Sequence, residues 1–182
     1  MNIIGKLKER IHNYFLQKKL GSHQIQRESI DYERAQNIGI LFNATDLSDR
    51  QTVLDFEKKL KKEGKKVQLM GFLNDRDKNE NFVFQHFNKT DTDWSLRPKS
   101  DQVEGFMKKP FDILINLSNE SHPTLDYIAA FSHAKFRVGP FTEKIFCYEL
   151  MIEANQKKDL KSFSDQVSFF LMKMKTTHEP AI

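Results

Sequence analysis

The sequence predicts an α/β protein: a three-layer, Rossmann-like sandwich with a mostly parallel sheet, preceded by an amphipathic N-terminal helix. Short, nearly continuous apolar runs recur at 37–42, 67–73 and 111–117, as strands buried on both faces require. Segments with helix-start signals and helical apolar spacing alternate with these runs. The chain's 182 residues, 38% apolar with 16 Phe, supply one full core and short appendages.

Residues 3–20 read as a helix. Ile3, Ile4, Leu7, Ile11, Tyr14 and Phe15 form one apolar stripe, flanked by Lys6 and Arg10 on one side and Lys8 and Lys19 on the other. Gly21 and Ser22 stop it. Residues 22–36 are polar and read as a linker. The expected division is therefore a basic helix at 1–21, a linker at 22–36 and a single Rossmann-like domain at 37–182.

Asn37–Phe42 is the first expected strand. Ser48-x-x-Gln51 reads as a capping box, with Val53, Leu54, Phe56 and Leu60 as the apolar side of the helix it opens. Gly64 closes that helix. Val67–Leu73 follows as a strand, and the unit should cross over right-handed. Phe82–Phe87 reads as a third strand. It follows too closely for a usual parallel crossover, so antiparallel pairing or an edge position is expected.

A short helix at 101–107 ends at Pro110, and Phe111–Leu117 is the next strand. Pro123 suits the first helical position, behind Ser121 or His122 as cap, with the helix running to about Ala134. Lys135–Val138 is a strand, and Gly139-Pro140 reads as a turn. Phe146, Tyr148, Leu150 and Ile152 alternate with wetter neighbours as a last strand. Leu160, Phe163, Val167, Phe170, Leu171 and Met174 then mark a C-terminal amphipathic helix.

The net charge is +4, and residues 1–20 carry all of it: five basic residues stand against one acidic, and the remainder balances at zero. The single Cys147 excludes an internal disulfide and a cysteine-cluster metal site. The N-terminus lacks a signal-peptide apolar core, and no window approaches 18 apolar residues, so a soluble, cytoplasmic protein is expected.

No G-x-G-x-x-G and no phosphate-loop motif occurs, so no nucleotide cofactor is expected. Asp75-Arg76-Asp77 and Asp91-Thr92-Asp93 have the spacing of paired carboxylates on a hard cation, but sit in polar turns where Asp is ordinary. His122 and His133 fall at opposite ends of one helix and cannot share a metal; no metal is expected. Cys147 reads as a buried, inert thiol on a strand. Trp94 reads as a pin for the long loop around it.

The pieces Phe111-Asp112-Ile113-Leu114-Ile115-Asn116-Leu117 and Ala134-Lys135-Phe136-Arg137-Val138-Gly139 resemble a strand–helix–strand segment of the N-terminal domain of heptosyltransferase-like, GT-B glycosyltransferases. Over nearly its full length the chain looks more like a family of small bacterial α/β proteins with a Trp-containing loop before this strand, here Asp93-Trp94. The glycosyltransferase resemblance implies a catalytic carboxylate after the first strand. In this chain that turn holds Asp46 and Asp49 but no Gly, and the family's second, nucleotide-binding domain has no counterpart.

The expectation is thus a non-enzymatic binding module. Its contact surface would be the N-terminal stripe and its basic flanks (Ile4, Leu7, Ile11, Tyr14, Phe15, Lys6, Lys8, Arg10), and its target a protein partner. One alternative is a glycosyltransferase-related fragment using Asp46 or Asp49 beside a separate nucleotide-binding subunit. Another is a ribosome-, RNA- or membrane-surface contact through residues 1–20.

Overall fold

The computed structural model describes residues 26–74, 81–154 and 159–174. Six strands form one all-parallel sheet: β1 (Asn37–Asn43), β2 (Lys66–Leu73), β3 (Gln85–Asn88), β4 (Ile113–Asn116), β5 (Phe136–Pro140) and β6 (Leu150–Ile152). Their order across the sheet is β3-β2-β1-β4-β5-β6, the order of the doubly wound Rossmann sheet. Among the described residues, four α-helices accompany them: α1 (Leu47–Lys62), α2 (Asp101–Met107), α3 (Pro123–Phe131) and α4 (Leu160–Lys173). The expected N-terminal helix lies outside the described residues.

Strand alternation sorts the core into two clusters, one per face. Ile38, Ile40 and Phe42 of β1, with Ile113 and Ile115 of β4, meet Val53, Phe56 and Leu60 of α1 and Phe163 and Val167 of α4. Leu41, Met70 and Leu114 instead meet Val103 and Phe106 of α2 and Leu125 and Ile128 of α3. Both faces of the sheet are covered, which is why its central strands read as unbroken apolar runs.

Several boundaries differ from expectation, each for a local reason. The cap of α1 is Asp46 rather than Ser48: its carboxylate accepts from the Ser48 N–H at 2.7 Å and the Ser48 hydroxyl at 2.7 Å. Gly64 does close the helix, at φ +81°. The third strand lies at the sheet edge, as one alternative held, but pairs parallel to β2, not antiparallel. It begins only at Gln85, because Phe82 and Phe84 are used to pack the crossover: they stack on each other at 5.0 Å, and Phe84 meets Phe42 edge-on at 5.1 Å.

Gly139 and Pro140 do not turn the chain; they continue β5, paired with Met151 and Ile152. The last strand shrinks to Leu150–Ile152. The residues before it form turns that bring Cys147 and Tyr148 inward and Glu149 onto Arg137.

The segment read as a linker is fastened to the domain from Arg27 onward. The Arg27 guanidinium donates to the carbonyls of Ala130, Ser132 and Ala134 at the C-terminal end of α3, and the Glu28 N–H donates to Lys135 O at 3.1 Å. Burial, with Arg137 nearby, pushes Arg27 down to about 10. Tyr32 and Ala35 are buried, and the Lys65 ammonium donates to the carbonyls of Tyr32, Glu33 and Ala35.

The residues that carry the glycosyltransferase resemblance have structural work here. Asp112 accepts from the backbone N–H groups of Gln36 and Asn37, both at 2.9 Å, and pairs with Lys135 at 3.2 Å. Arg137 grips the Ala129 and Ala130 carbonyls and makes a two-pronged pair with Glu149.

Burial alone would raise the Asp112 carboxyl; the Asn37 and Gln36 N–H groups and Lys135 outweigh it and hold the group below its ordinary value. A carboxyl that titrates lower when folded stabilises the fold fully above its unfolded pKa, about 3.9. That stabilisation is lost as pH falls through the folded value. Asp112→Ala should therefore cost about 1.5 kcal/mol at neutral pH. In urea titrations the gap from the native sequence should narrow steadily below about pH 4. A gap of the same size at low pH would show that Asp112 does not act through its charge.

Candidate functional site

In an open parallel sheet, ligands bind beyond the carboxyl ends of the strands where the strand order reverses. Here that point lies between β1 and β4. A crevice of 180 Å³ opens there, between the β1–α1 turn and the β4–α3 turn, with Asn43, Asp49, Leu117, Ser118, Ser121 and His122 among its walls. A hollow of 330 Å³ at the opposite, amino end is bordered by Val67, Gln68, Lys109 and Phe111. There Lys109 simply bonds Gln68 at 2.5 Å.

The two turns are organised by their own side chains. Asn43 accepts from the Thr45 N–H at 3.1 Å, and the Thr45 hydroxyl accepts from Asn74 N–H at 2.8 Å. Asp46 occupies the α1 N-terminus as its cap, so its carboxylate stands where an anionic ligand would otherwise meet the helix dipole. At α3 the cap is His122, whose Nδ1 accepts from the Thr124 N–H at 3.3 Å, and Pro123 removes another donor. Neither helix start offers a phosphate cradle.

Of the two carboxylates after β1, only Asp49 lines the crevice. Asp46 is exposed, and its hydrogen bonds from the Ser48 hydroxyl and N–H hold it below the ordinary carboxylate range. A general base works best with a pKa near the operating pH, so this shift runs the wrong way for catalysis. Asp49 is pushed up by burial and by the like charges of Asp46 and Asp159.

Behind the crevice, between the sheet and α3, lies a buried polar network. Asn116 Nδ2 donates to the Tyr148 hydroxyl at 2.6 Å, and that hydroxyl donates to Asp126 Oδ1 at 2.9 Å. Asp126 Oδ2 accepts from the Ser121 hydroxyl at 2.5 Å and from Lys144 at 3.1 Å. Asn116 and Asp126 are fully buried, and burial with the adjacent Asp126 charge pushes the Tyr148 phenol well above its usual value.

In the β4–α3 segment, the buried oxygens that make no hydrogen bond include Asn116 Oδ1, Ser118 Oγ and Thr124 Oγ1. Ser118 is 6% exposed and lines the crevice. Buried polar atoms are normally satisfied, so such a cluster needs an explanation.

The other candidates resolve into structural roles. Cys147 is buried as expected, though in a turn; burial and Asp126 push its thiol up to about 12, which leaves it a poor nucleophile. Asp91 accepts from the Asn88 N–H in the capping of a 3₁₀ turn, and Asp93 gathers the N–H groups of Ser95 and Arg97. Asp93, not Trp94, pins that loop; Trp94 is 58% exposed. His122 and His133 sit at opposite ends of α3. Among the described residues, no group of three His, Cys, Asp or Glu is placed to hold a metal, and no helix is long and apolar enough to cross a membrane. The stripe of Ile4, Leu7, Ile11, Tyr14 and Phe15, with Lys6, Lys8 and Arg10, and the pair Asp75 and Asp77 lie outside the described residues.

Residues 8–174 match a family of unknown function, DUF6913. The chain belongs to the DUF6913 family. No curated protein and no solved structure matches it. In this DUF6913 chain, reasoning from sequence missed Ser118, Asp126, Lys144 and Tyr148 as a group. The available signal was polarity in the wrong place: Asn116 closes an apolar strand, and Asp126 interrupts the run Leu125 to Phe131.

Proposed function

We propose that the chain is a non-catalytic binding module whose ligand seat is the crevice at the carboxyl ends of β1 and β4. The observation that carries this reading is the buried, unpartnered hydroxyl of Ser118 in that crevice. Glycosyl transfer from a nucleotide is disfavoured because Asp46 and His122 close the two helix starts that would hold a diphosphate. The glycosyltransferase-like pieces, with Asp112 and Arg137 engaged in backbone hydrogen bonds, are read as shared scaffold.

Isothermal titration of the full chain with a uridine and an adenosine sugar nucleotide should give no heat of binding at low-micromolar concentration. Affinity in that range would overturn the reading and restore Asp46 as a candidate base. Asp46→Asn should then abolish turnover with binding nearly unchanged.

A further inference from the structure

We propose that the outer face of α4 is a self-association surface, on which a second copy of this chain lays its own α4 antiparallel, across a twofold axis at Phe169. The inner face of the helix buries Leu160, Phe163, Val167 and Leu171 in the core. An amphipathic helix turns a polar face to water, and this one does not. Phe169, Phe170 and Met172 stand 52%, 43% and 48% exposed. The two Phe rings meet edge-on at 5.5 Å, so they project as one patch. Large apolar side chains gathered at a surface, unlike scattered ones, mark an interaction site.

The charges beside the patch identify its occupant. Asp165, Phe169 and Lys173 are spaced by four residues and follow one ridge of the helix. All three are exposed, and the Lys173 ammonium lies over the Phe169 ring, 4.2 Å from its centroid. Asp165 and Lys173 stand about 6 Å before and after Phe169 along the helix axis. A twofold axis through Phe169 exchanges those two levels. Lys173 of each copy then faces Asp165 of the other, and Phe170 comes onto the same flank as the other copy's Met172. The patch is thus complementary to itself, as an isologous contact requires. An anionic membrane would suit Lys173 and repel Asp165. The chain's own basic N-terminal segment would suit Asp165 and repel Lys173. A second copy answers both charges.

One helix pair is a small contact, so a dimer of micromolar affinity is expected. Sedimentation equilibrium of the full chain, from low-micromolar to near-millimolar concentration, should show it. Phe169→Asp should abolish the dimer. Asp165→Lys or Lys173→Glu alone sets like charges opposite each other twice per dimer, and each should weaken association about tenfold. Together the two changes restore opposite charges with the signs exchanged, and affinity should return to within about threefold of native. These positions are exposed, so the melting temperature of each variant at low concentration should stay near the native value, which separates loss of the dimer from loss of the fold.

A native chain that stays monomeric throughout would overturn the proposal. A dimer that survives Phe169→Asp would place the contact on another face and reject this one. A double change no better than either single change would reject the Asp165–Lys173 register. Binding of a monomeric chain to anionic phospholipid vesicles, lost with Phe169→Asp, would give the face to a membrane instead.

Discussion

Asp126→Ala should destabilise the protein by about 3–5 kcal/mol, the cost of breaking a buried ion pair from one side. The carboxylate is fully buried and is the meeting point of Tyr148, Ser121 and Lys144. Removing it strands the Lys144 ammonium, whose side chain is only 13% exposed, and leaves the Tyr148 hydroxyl without its acceptor. Asp126→Asn keeps the shape and an acceptor for Tyr148 but loses the charge opposite Lys144, so roughly half the loss is expected. Urea unfolding of the two variants and of Asp126→Leu with Lys144→Met tests this. The double variant should cost clearly less than the sum of its single changes, because it leaves neither charge alone. An Asp126→Ala loss below about 1 kcal/mol would mean that water satisfies the network in its place.

Gly139→Ala should cost about 2–3 kcal/mol, at the upper end for a single added methyl. A Cβ at Gly139 would lie 2.5–2.7 Å from three ring carbons of Tyr148. Such overlap is inexpensive only if the neighbour can retreat, and this ring cannot: its hydroxyl is tied to both Asn116 and Asp126. Tyr148→Ala should itself be destabilising, but in the Gly139→Ala background its added cost should shrink, since the clash has gone. A thermodynamic cycle from denaturant midpoints reads this coupling directly. Additive effects would show that the backbone of β5 moves instead of the ring being blocked.

The central architecture was legible because its signals are local. Apolar runs at 37–42, 67–73 and 111–117 became the three neighbouring parallel strands β2, β1 and β4. Pro123 marked the start of α3, and Gly64 the end of α1. The periphery was less legible because the same residues had two uses. Phe82 and Phe84 have the alternation of a strand, yet pack a crossover. Gly139-Pro140 has the composition of a turn, yet extends an edge-proximal strand, where Pro needs only a free N–H side.

Of the site, the sequence by itself determined the carboxylates after β1, the absence of a glycine-rich phosphate loop, and the place of His122 before α3. Tertiary structure alone decided that Asp49, and not Asp46, faces the crevice. It also decided that Asn116, Asp126, Lys144 and Tyr148, drawn from β4, α3 and the loop after β5, form one buried network. Caps and apolar periodicity act over a few residues and leave a trace along the chain. A buried polar group is stable only when distant partners satisfy it, and those partners become neighbours only after the sheet has ordered its strands.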